Sequence, residues 1–387
     1  MQHKWTIAWL LTGVLLLGCQ KGEKDTDDAD TNWMITGFIK ADAINPILQP
    51  SFEGQFSCPL TDSVMGWEER NVLNPTAVVR NDTVFLLYRA QDSMGTSRIG
   101  MAISTDGLNF QRQAEPVFYP QDDHMRIYEW NYRKGGEQTN SETCYFCYFD
   151  GVEDPRIVQS DTGDYFMTYT AYDGKTARLA IASSPDLRNW TKHGLVLADS
   201  IYKDTWSKAG AIVVRQSEEG MVATKIDGKY WMYFGDTSLF MAYSTDLINW
   251  SVAVDQEKGT PIKVMHPRSG KFDSRLVEPG PYALLRDQGI LLIYNGSNAA
   301  NYNDPQLPKF TYAAGQALFN KDAPYQLIDR SENYFIHPDK DYERVGEVNE
   351  VCFVEGLVAF QDQWLLYYGT ADSKIAVASA ALENNSN

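Results

Sequence analysis

The 387-residue chain carries 51 acidic and 34 basic residues, which gives a formal net charge of −17 at pH 7. A surface of this sign repels nucleic acid and anionic membranes, so we expect neither as a direct partner. The length exceeds that of most single domains, although repeated all-β folds often reach this size as one domain.

The N-terminus has the pattern of a bacterial lipoprotein signal. Lys4 precedes an apolar stretch at 7–17 that is too short to span a bilayer stably, and Gly18 and Cys19 follow it. We expect residues 1–19 to be the lipoprotein signal peptide region. Cleavage before Cys19 would make this cysteine the lipidated N-terminus of a mature protein held in the bacterial cell envelope. An ordinary signal peptide with an incidental cysteine is the alternative.

Residues 20–32 (QKGEKDTDDADTN) are predicted to be a flexible acidic tether. They contain five acids and two lysines, and they cannot bury enough apolar surface to fold. Because residues 1–19 contain Lys4 as their single charged side chain, their removal leaves 33 basic and 51 acidic residues, a formal charge of −18. Residues 33–387 are expected to form a single domain.

A strand rich in tyrosine and aliphatic residues recurs five times in this domain. Each copy follows a turn signal that contains Asn, Asp or Gly, as hairpins require. The copies are 85–89 (FLLYR), 165–169 (YFMTY), 230–234 (YWMYF), 290–294 (ILLIY) and 364–368 (WLLYY). Five copies of one unit predict an all-β fold, a five-bladed β-propeller with one central depression that every blade helps to line.

A second repeat is a Ser-x-Asp turn that ends in an aromatic residue. It is found at 104–110 (STDGLNF), 184–190 (SPDLRNW) and 244–250 (STDLINW). We expect a hairpin whose aromatic side chain packs between neighbouring sheets. A jelly-roll sandwich is the competing architecture, but it would not repeat five times.

Residues 151–156 (GVEDPR) place two carboxylates and a guanidinium around a proline. Pro155 cannot donate a ladder hydrogen bond, so the segment is a strand start or a bulge. Cleavage of a glycoside requires a carboxylic acid that protonates the leaving oxygen. Asp154 is the candidate for this acid, with Glu153 and Arg156 as candidate substrate ligands; a surface salt-bridge cluster is the alternative.

Five motifs, in the same order along the chain, resemble those of glycoside hydrolase family 130, the β-mannoside phosphorylases and β-mannosidases built on five-bladed propellers. They are 74–75 (NP), 87–90 (LYRA), 151–156 (GVEDPR), 293–296 (IYNG) and 367–372 (YYGTAD). The resemblance implies that Asp154 is the general acid of an inverting mechanism and delivers its proton through a hydroxyl of the bound mannose. It also implies that Asn74, Arg89 and Asp372 bind that mannose.

The chain departs from the family's phosphorylases where those enzymes present basic residues to phosphate. Asn295 stands in place of a histidine and Asp236 in place of an arginine, and we expect both to contact substrate. A neutral amide and a carboxylate do not hold a phosphate dianion. Lys208 is retained as a candidate ligand, and His266 and Arg268 could compensate from a loop.

Extra acids accompany this loss of basic residues. Glu278 is the first candidate for a general base that activates water, followed by Glu355 and Glu350. Alternation along a strand predicted from Val348 places Glu350 on the same face as Cys352. A substrate-hydroxyl acceptor or a charge at the rim is the alternative for each glutamate.

Two loop aromatics, Tyr172 and Trp206, are candidate platforms for sugar rings, although most aromatic residues must fill the spaces between blades. Cys144 and Cys147 form a lone CxxC pair without a second pair of ligands. We therefore expect no metal and no cofactor.

Together these features predict an inverting glycosidase that removes mannose from β-mannosides, with β-1,2-linked manno-oligosaccharides and mannan as candidate substrates. A phosphorylase that uses inorganic phosphate is the first alternative. A non-catalytic glycan-binding lipoprotein is the second, and the presence of Asp154 argues against it. The expected membrane contact is through the N-terminal lipid alone, and no sequence feature specifies an oligomeric state.

Cys19→Ala is expected to give an unacylated protein that fractionates with the soluble phase and keeps its specific activity. Acyl chains contribute about 0.8 kcal/mol per buried methylene, and multiple chains are needed for stable attachment. Membrane fractionation with mass spectrometry of the mature N-terminus measures this. Membrane retention of a processed Cys19→Ala protein would contradict the anchor.

Overall fold

The structure, a computed structural model, describes residues 32–132, 149–218 and 220–382. Trp33–Asn387 forms one compact unit. The regular secondary structure of the described residues is almost entirely β-strand, with two four-residue helices, α1 (Arg126–Glu129) and α2 (Asp341–Arg344). No helix in these ranges is long and apolar enough to cross a membrane. The all-β prediction is confirmed, whereas Cys19, Cys144 and Cys147 lie outside the described residues.

Five antiparallel meanders follow one another along the described chain, after the short strands β1 (Ile39–Lys40), β2 (Gln55–Cys58) and β3 (Ser63–Gly66). The first contains β4 (Asn71–Arg80), β5 (Thr83–Gln91), β6 (Thr96–Ser104) and β7 (Gln111–Arg112). The second contains β8 (Asp150–Gln159), β9 (Tyr165–Tyr172), β10 (Ala177–Ser184) and β11 (Thr191–Leu195).

The third meander is built from β12 (Ala211–Ser217), β13 (Gly220–Ala223), β14 (Lys225–Ile226), β15 (Lys229–Phe234), β16 (Leu239–Ser244), β17 (Trp250–Val252), β18 (Val254–Asp255), β19 (Thr260–Pro261) and β20 (Lys263–Met265). The fourth contains β21 (Leu276–Pro279), β22 (Ala283–Arg286), β23 (Gly289–Ser297), β24 (Tyr312–Phe319) and β25 (Leu327–Arg330). The fifth contains β26 (Cys352–Phe360), β27 (Gln363–Thr370) and β28 (Lys374–Ala381), and β1 pairs with β28 as its outer strand.

The five recurring tyrosine-rich segments lie in β5, β9, β15, β23 and β27, one in each meander. Three of the hairpin turns before them have consecutive residues with positive φ, as in Asn81 (50°) and Asp82 (53°). This conformation matches the strand twist of a two-residue hairpin and favours Asn, Asp and Gly. The predicted strands and turn signals are therefore confirmed.

The three Ser-x-Asp turns share one hydrogen-bond pattern. In the third, Oδ1 of Asp246 accepts the N–H groups of Ile248 (2.9 Å) and Asn249 (2.8 Å), and Oδ2 accepts Nδ2 of Asn249 (2.8 Å). In the first, Phe110 contacts Tyr367 of the fifth meander edge to face, with ring centroids 5.7 Å apart. The turn is thus a side-chain cap that presents an aromatic residue to a neighbouring meander, as predicted.

Four meanders share a buried cluster of a tyrosine, an acid and a cation. The tyrosine of the recurring strand donates its hydroxyl to a buried carboxylate from outside the strands, in a loop or in one of the two short helices, and a basic side chain pairs with that carboxylate. The clusters are Tyr88–Glu68–Arg112, Tyr169–Glu129–Lys192, Tyr294–Asp273–Arg330 and Tyr368–Glu343–Lys40. In the third meander, Tyr233 donates instead to the carbonyl of Pro324 at 2.7 Å.

Removal of one such hydroxyl is expected to destabilise the fold through the carboxylate that loses its donor. Tyr169→Phe leaves buried Glu129 without a bond of 2.8 Å, and hydrogen bonds to charged groups contribute about 1.5–3 kcal/mol. Tyr233→Phe is the matched control, because its acceptor is a neutral carbonyl and such a bond contributes about 0.5–1.5 kcal/mol. Equal losses in denaturant unfolding would show that the buried charge has no special weight.

Candidate active site

The first strand of three meanders is interrupted by a bulge. The strand register shifts between Leu73 and Pro75 in β4, between Glu153 and Arg156 in β8, and between Val354 and Gly356 in β26. A bulge inserts an extra residue and changes the direction of a side chain. The residues at these bulges are Asn74, Asp154 and Glu355, and the first two have positive φ values of 47° and 51°.

The third and fourth meanders have a break at a similar place. Ala209 has a φ of 57° just before β12, and Lys208 precedes it. The fourth meander's first strand stops at Pro279 and resumes at Ala283, and Glu278 lies one residue before that stop. Each meander therefore contributes one polar residue at or next to a break, and we call these five the inner polar ring: Asn74, Asp154, Lys208, Glu278 and Glu355.

The ring residues contact one another across the meanders. Nδ2 of Asn74 donates to Oδ1 of Asp154 at 2.8 Å. Nζ of Lys208 lies 3.5 Å from Oδ2 of Asp154 and 3.4 Å from Oε1 of Glu278. One ammonium group thus joins the candidate acid and the candidate base.

A cavity of about 420 Å³ opens beside the ring. Its lining includes Arg89, Glu153, Tyr172, Trp206, Lys208 and Asp372, all of which are sequence-predicted site residues. Asp154 is 1% exposed and does not line the cavity itself. Its carboxylate forms ion pairs with two lining residues, Arg89 and Lys208. The fold therefore brings most of the predicted site into one place.

Arg89 organises the side of the cavity formed by the first two meanders. Its Nη2 donates to Oε1 of Glu153 at 2.7 Å and its Nη1 to Oδ1 of Asp154 at 3.2 Å. Its Nε donates to Oγ of Ser97 at 3.0 Å. The guanidinium thus holds both carboxylates of the 151–156 segment in fixed positions.

Arg156 has a structural role, in contrast to the prediction that it binds substrate. It is 3% exposed, its Nε donates to the carbonyl of Gly280 at 2.7 Å, and its Nη2 donates to that of Pro279 at 2.8 Å. Nη2 also lies 2.7 Å from Oε1 of Glu355. These bonds leave the guanidinium no access to a ligand, and they tie the second meander to the fourth and fifth.

Asn295 also differs from the prediction of substrate contact. It is fully buried, its Nδ2 donates to the carbonyl of Val354 at 3.0 Å, and its Oδ1 accepts the N–H of the same residue at 2.8 Å. The amide replaces a missing strand pairing between β23 and β26. Its side chain is therefore a clamp between two meanders.

Glu350 belongs neither to the inner polar ring nor to the cavity wall. The predicted strand from Val348 does not form, because β26 begins at Cys352 and residues 346–350 are a loop. The backbone of Glu350 bonds that of Arg344, and Glu347 and Val348 line the cavity instead. The strand periodicity used for Glu350 does not apply in a loop.

Burial and neighbouring charges separate the protonation of Glu153 and Asp154. Burial alone raises the pKa of Asp154, but Arg89, Lys208 and the Asn74 amide together lower it below the ordinary range. Burial raises the pKa of Glu153 to about 7, although Arg89 opposes this. A proton shared by this pair therefore resides on Glu153 in the ligand-free site.

Other carboxylates of the site also have raised pKa values. Burial raises the pKa of Glu278 to about 7 against the opposing charge of Lys208, and it raises that of Asp372 to about 6 against Arg89. Burial raises the pKa of Glu355 well above its ordinary value. Such shifts concentrate at catalytic sites, where a base needs a pKa near the working pH.

Buried acceptors without donors are concentrated in the inner polar ring. Among the described residues, Oδ1 of Asn74, Oδ2 of Asp154, Oε1 of Glu278 and both carboxylate oxygens of Glu355 accept no hydrogen bond of good geometry. A cation nevertheless lies within ion-pair distance of one oxygen of each of the three acids. Buried polar atoms are normally paired, so an unpaired set marks the place where a ligand or water completes the network. Every unpaired atom in this set is an acceptor.

Trp206, Tyr172 and Asp236 lie at the edge of the cavity. The rings of Trp206 and Tyr172 meet edge to face with centroids 6.2 Å apart. Nε1 of Trp206 donates to Oδ2 of Asp236 at 2.6 Å, and half of the Trp206 surface is exposed. The indole is therefore fixed in orientation and available for stacking.

Arg268 and His266, the loop residues that were candidates to bind phosphate, do not line the cavity. Arg268 pairs with Asp273 (2.8 Å) and donates to the carbonyl of Ser331 (2.9 Å), within the cluster of Tyr294. His266 is exposed, and its carbonyl accepts from Arg330. No group of three or more potential metal ligands is found among the described residues.

The cavity contains residues that the sequence reasoning missed. Gln91, Phe149 and Glu347 line it. Gln91 lies two residues after Arg89 on β5, so strand alternation places both on one face and could have identified it. Phe149 and Glu347 lie in loops, where no comparable period exists.

Comparison with known proteins connects this geometry to a family. Residues 139–385 match the family model described as beta-1,4-mannooligosaccharide phosphorylase. The beta-1,2-mannobiose phosphorylase of Thermoanaerobacter sp. (strain X514) is 30% identical over 331 residues, which cover 81% of this chain and 90% of that protein.

Two solved structures are similar over nearly the same extent. A glycosyl hydrolase from Bacteroides ovatus has 39% identity and a TM-score of 0.83, with 90% of this chain and 95% of that one covered. The second structure has 38% identity and a TM-score of 0.83, and the match covers 91% of this chain and 98% of that one. It is described by the statement that the GH130 family of mannoside phosphorylases contains glycoside hydrolases that target beta-1,2 mannosidic linkages in Candida mannan.

Proposed function

The chain belongs to glycoside hydrolase family 130, and we propose that it hydrolyses β-mannosides with inversion and releases mannose. β-1,2-linked manno-oligosaccharides and mannan are the proposed substrates, because relatives are named for β-1,2-mannosides. The proposed location is the bacterial cell envelope, with attachment through Cys19.

The proposed architecture is a five-bladed β-propeller in which each meander is a blade. Contacts between the first and fifth meanders support a closed ring of blades. The Tyr367 hydroxyl donates to the carbonyl of Gly107 at 2.8 Å, and a Cβ added to Gly356 would lie 2.9 Å from the carbonyl oxygen of Pro75. A closed arrangement explains why all five meanders contribute to one inner polar ring.

The observation that carries the proposal is the set of unpaired acceptors in the inner polar ring. Sugar hydroxyls and water donate hydrogen bonds and can pair with these oxygens. The phosphate dianion carries one O–H donor and three further acceptor oxygens, so it would bring mainly acceptors to a site that already lacks donors. The ring therefore suits a polyhydroxyl ligand and a water nucleophile.

Charge balance favours water over phosphate for the same reason. Five acidic side chains, those of Glu153, Asp154, Glu278, Glu355 and Asp372, surround three cations, and all of them but Asp154 have a pKa that burial raises above its ordinary value. Each cation is already paired: Arg89 with Glu153 and Asp154, Lys208 with Asp154 and Glu278, and Arg156 with Glu355. A phosphate dianion would need a free cation that this site does not present among its described residues.

Phosphorolysis remains the competing function, because the curated relative reported above is a phosphorylase. Lys208 is the retained candidate for a phosphate ligand, and a movement of its ammonium away from Glu278 would be required. Arg268 is bound to Asp273 and cannot assist without breaking that pair.

In the proposed mechanism, Glu278 accepts a proton from the attacking water and Asp154 supplies the proton to the leaving oxygen. Asn74, Arg89 and Asp372 bind the mannose, and Glu153 fixes Arg89. Because Lys208 contacts both carboxylates, Oδ2 of Asp154 and Oε1 of Glu278 are at most roughly 7 Å apart. Most of that range lies below the roughly 6.5–9.5 Å typical of inverting enzymes, so the proposal of inversion rests on the family and not on this separation.

The acid role sets a condition on substrate binding. Asp154 is ionised in the ligand-free site, since its cationic neighbours lower its pKa. A sugar that fills the cavity must therefore raise that pKa, by excluding water and by displacing Lys208 from Oδ2. The neighbouring Glu153, with a pKa of about 7, is the local source of the proton.

Incubation of the enzyme with β-1,2-mannobiose, with and without inorganic phosphate, tests the reaction directly. We expect free mannose in both cases, first formed as the α-anomer, because direct displacement by water inverts the anomeric centre. Early proton NMR detects the anomer before mutarotation. A strict requirement for phosphate with mannose 1-phosphate as product would contradict hydrolysis, and initial β-mannose would contradict inversion.

Asp154→Asn is expected to fold like the parent and lose nearly all turnover on unactivated oligosaccharides. The amide keeps the bond to Asn74 possible but cannot supply a proton, and general acid assistance contributes roughly 10²–10⁴-fold. An aryl mannoside, whose leaving group needs less protonation, should be affected less. Retention of more than about a tenth of the activity on the natural linkage, well outside that range, would remove Asp154 from the acid role.

Glu278→Gln is expected to abolish hydrolysis while binding of mannobiose persists. Glu278 must be ionised to act as a base, so kcat/KM of the parent should have an acidic limb near pH 7, the pKa that burial gives this group. A separate alkaline limb should reflect loss of the Glu153 proton that supplies Asp154. Azide needs no base, so it should restore part of the turnover of Glu278→Gln and give glycosyl azide. The kcat/KM of this azide reaction should lack the acidic limb. Glu153→Gln is the matched control because Glu153 has a similar pKa, and it should retain the acidic limb. An active Glu278→Gln enzyme would move the base role to Glu355.

A further inference from the structure

A second cavity, of about 550 Å³, adjoins the candidate active site. Trp206 is part of the wall of both cavities, and Asp236 lines the second one beside it. The volume lies within the roughly 300–1,000 Å³ typical of ligand pockets. The two cavities therefore meet at the indole of Trp206.

The wall of the second cavity is mainly apolar. Leu197 and Ile201 come from the loop between β11 and β12, and Phe234, Phe240 and Pro261 come from the third meander. Ile201 is 75% exposed. An exposed apolar patch that continues from a polar catalytic cavity is a feature of ligand-binding grooves.

The loop that carries Ile201 is held in position by its own bonds. Oδ1 of Asp199 accepts the N–H of Ile201 at 3.0 Å, and the carbonyl of Asp199 accepts that of Tyr202 at 2.9 Å. Arg178 anchors the far side of the loop through the carbonyl of Lys203 and the carboxylate of Asp204, both at 3.1 Å. The groove is thus preformed, which reduces the entropic cost of binding.

We propose that this groove binds the sugar units of the leaving group, beyond the bond that is cleaved. The inference rests on the proposed function and adds a preference for chains longer than a disaccharide. A neutral sugar offers an apolar ring face to Trp206 and hydroxyl donors to Asp236. The carboxylate of Asp236 and the acidic character of the whole chain disfavour an anionic occupant.

Trp206 acts as the divider between the two parts of the substrate. Its N–H is bound to Asp236 at 2.6 Å, so the ring plane is fixed relative to the groove wall. The sugar next to the cleaved bond contacts one side of this residue, and the following units lie along Ile201 and Phe240. Affinity therefore increases with chain length until the groove is filled.

Ile201→Ser tests this inference, with Ile328→Ser as the matched control. Both isoleucines are exposed, at 75% and 55%, but Ile328 lies on β25, outside the groove. The measured quantity is kcat/KM for β-1,2-mannotetraose divided by kcat/KM for mannobiose. We expect Ile201→Ser to lower this ratio by about fivefold to tenfold, mainly because KM for the tetraose rises. A tenfold change equals about 1.4 kcal/mol. Ile328→Ser should leave that ratio as in the parent.

Calorimetric binding of both oligosaccharides to the same proteins separates this inference from the proposed function. If no β-mannoside is cleaved but tetraose binds more tightly than biose and Ile201→Ser removes the difference, the reaction is wrong and the groove is confirmed. If cleavage occurs and Ile201→Ser leaves the tetraose-to-biose ratio and the dissociation constants unchanged, the groove inference is wrong. Thermal unfolding checks that both variants are folded.

Discussion

The ammonium of Lys208, placed between the carboxylates of Asp154 and Glu278, is the interaction on which the proposed chemistry depends. A buried carboxylate is costly unless a cation or a donor compensates it. Lys208 offsets the burial of Asp154 together with Arg89, which has the larger effect, and it is the main cation that offsets the burial of Glu278. Without Lys208 the pKa of both acids would rise. With it, Asp154 has a lowered pKa and Glu278 one of about 7, so the two differ before any substrate binds.

This charge arrangement requires a rigid frame, and the meanders supply it through repeated buried bonds. Arg156 reaches from the second meander to Gly280 and Glu355 in the fourth and fifth, and Asn295 clamps the fourth to the fifth. The tyrosine clusters secure the outer part of four meanders in the same manner. Buried polar networks of this kind favour one arrangement of the surrounding strands.

The distinction between hydrolysis and phosphorolysis is therefore a question of donors and acceptors. A relative named as a phosphorylase and a structure whose description states that the GH130 family contains glycoside hydrolases are both similar to this chain. The described centre has unpaired acceptors and paired cations, which match hydroxyls and water. The adjoining groove extends the same reasoning, since its apolar wall and single carboxylate suit a neutral chain of sugars.

The sequence by itself determined the five tyrosine-rich strands and the Ser-x-Asp turns, and it identified residues 151–156 as the candidate catalytic segment, because each depends on local spacing and turn chemistry. The tertiary structure alone decided that Arg156 and Asn295 are structural and that Glu350 lies in a loop. It also decided that Lys208 and Glu278 lie beside Asp154 and that Trp206 divides two cavities. These outcomes depend on bulges that change side-chain direction and on partners far apart in the chain, and neither follows from a local pattern.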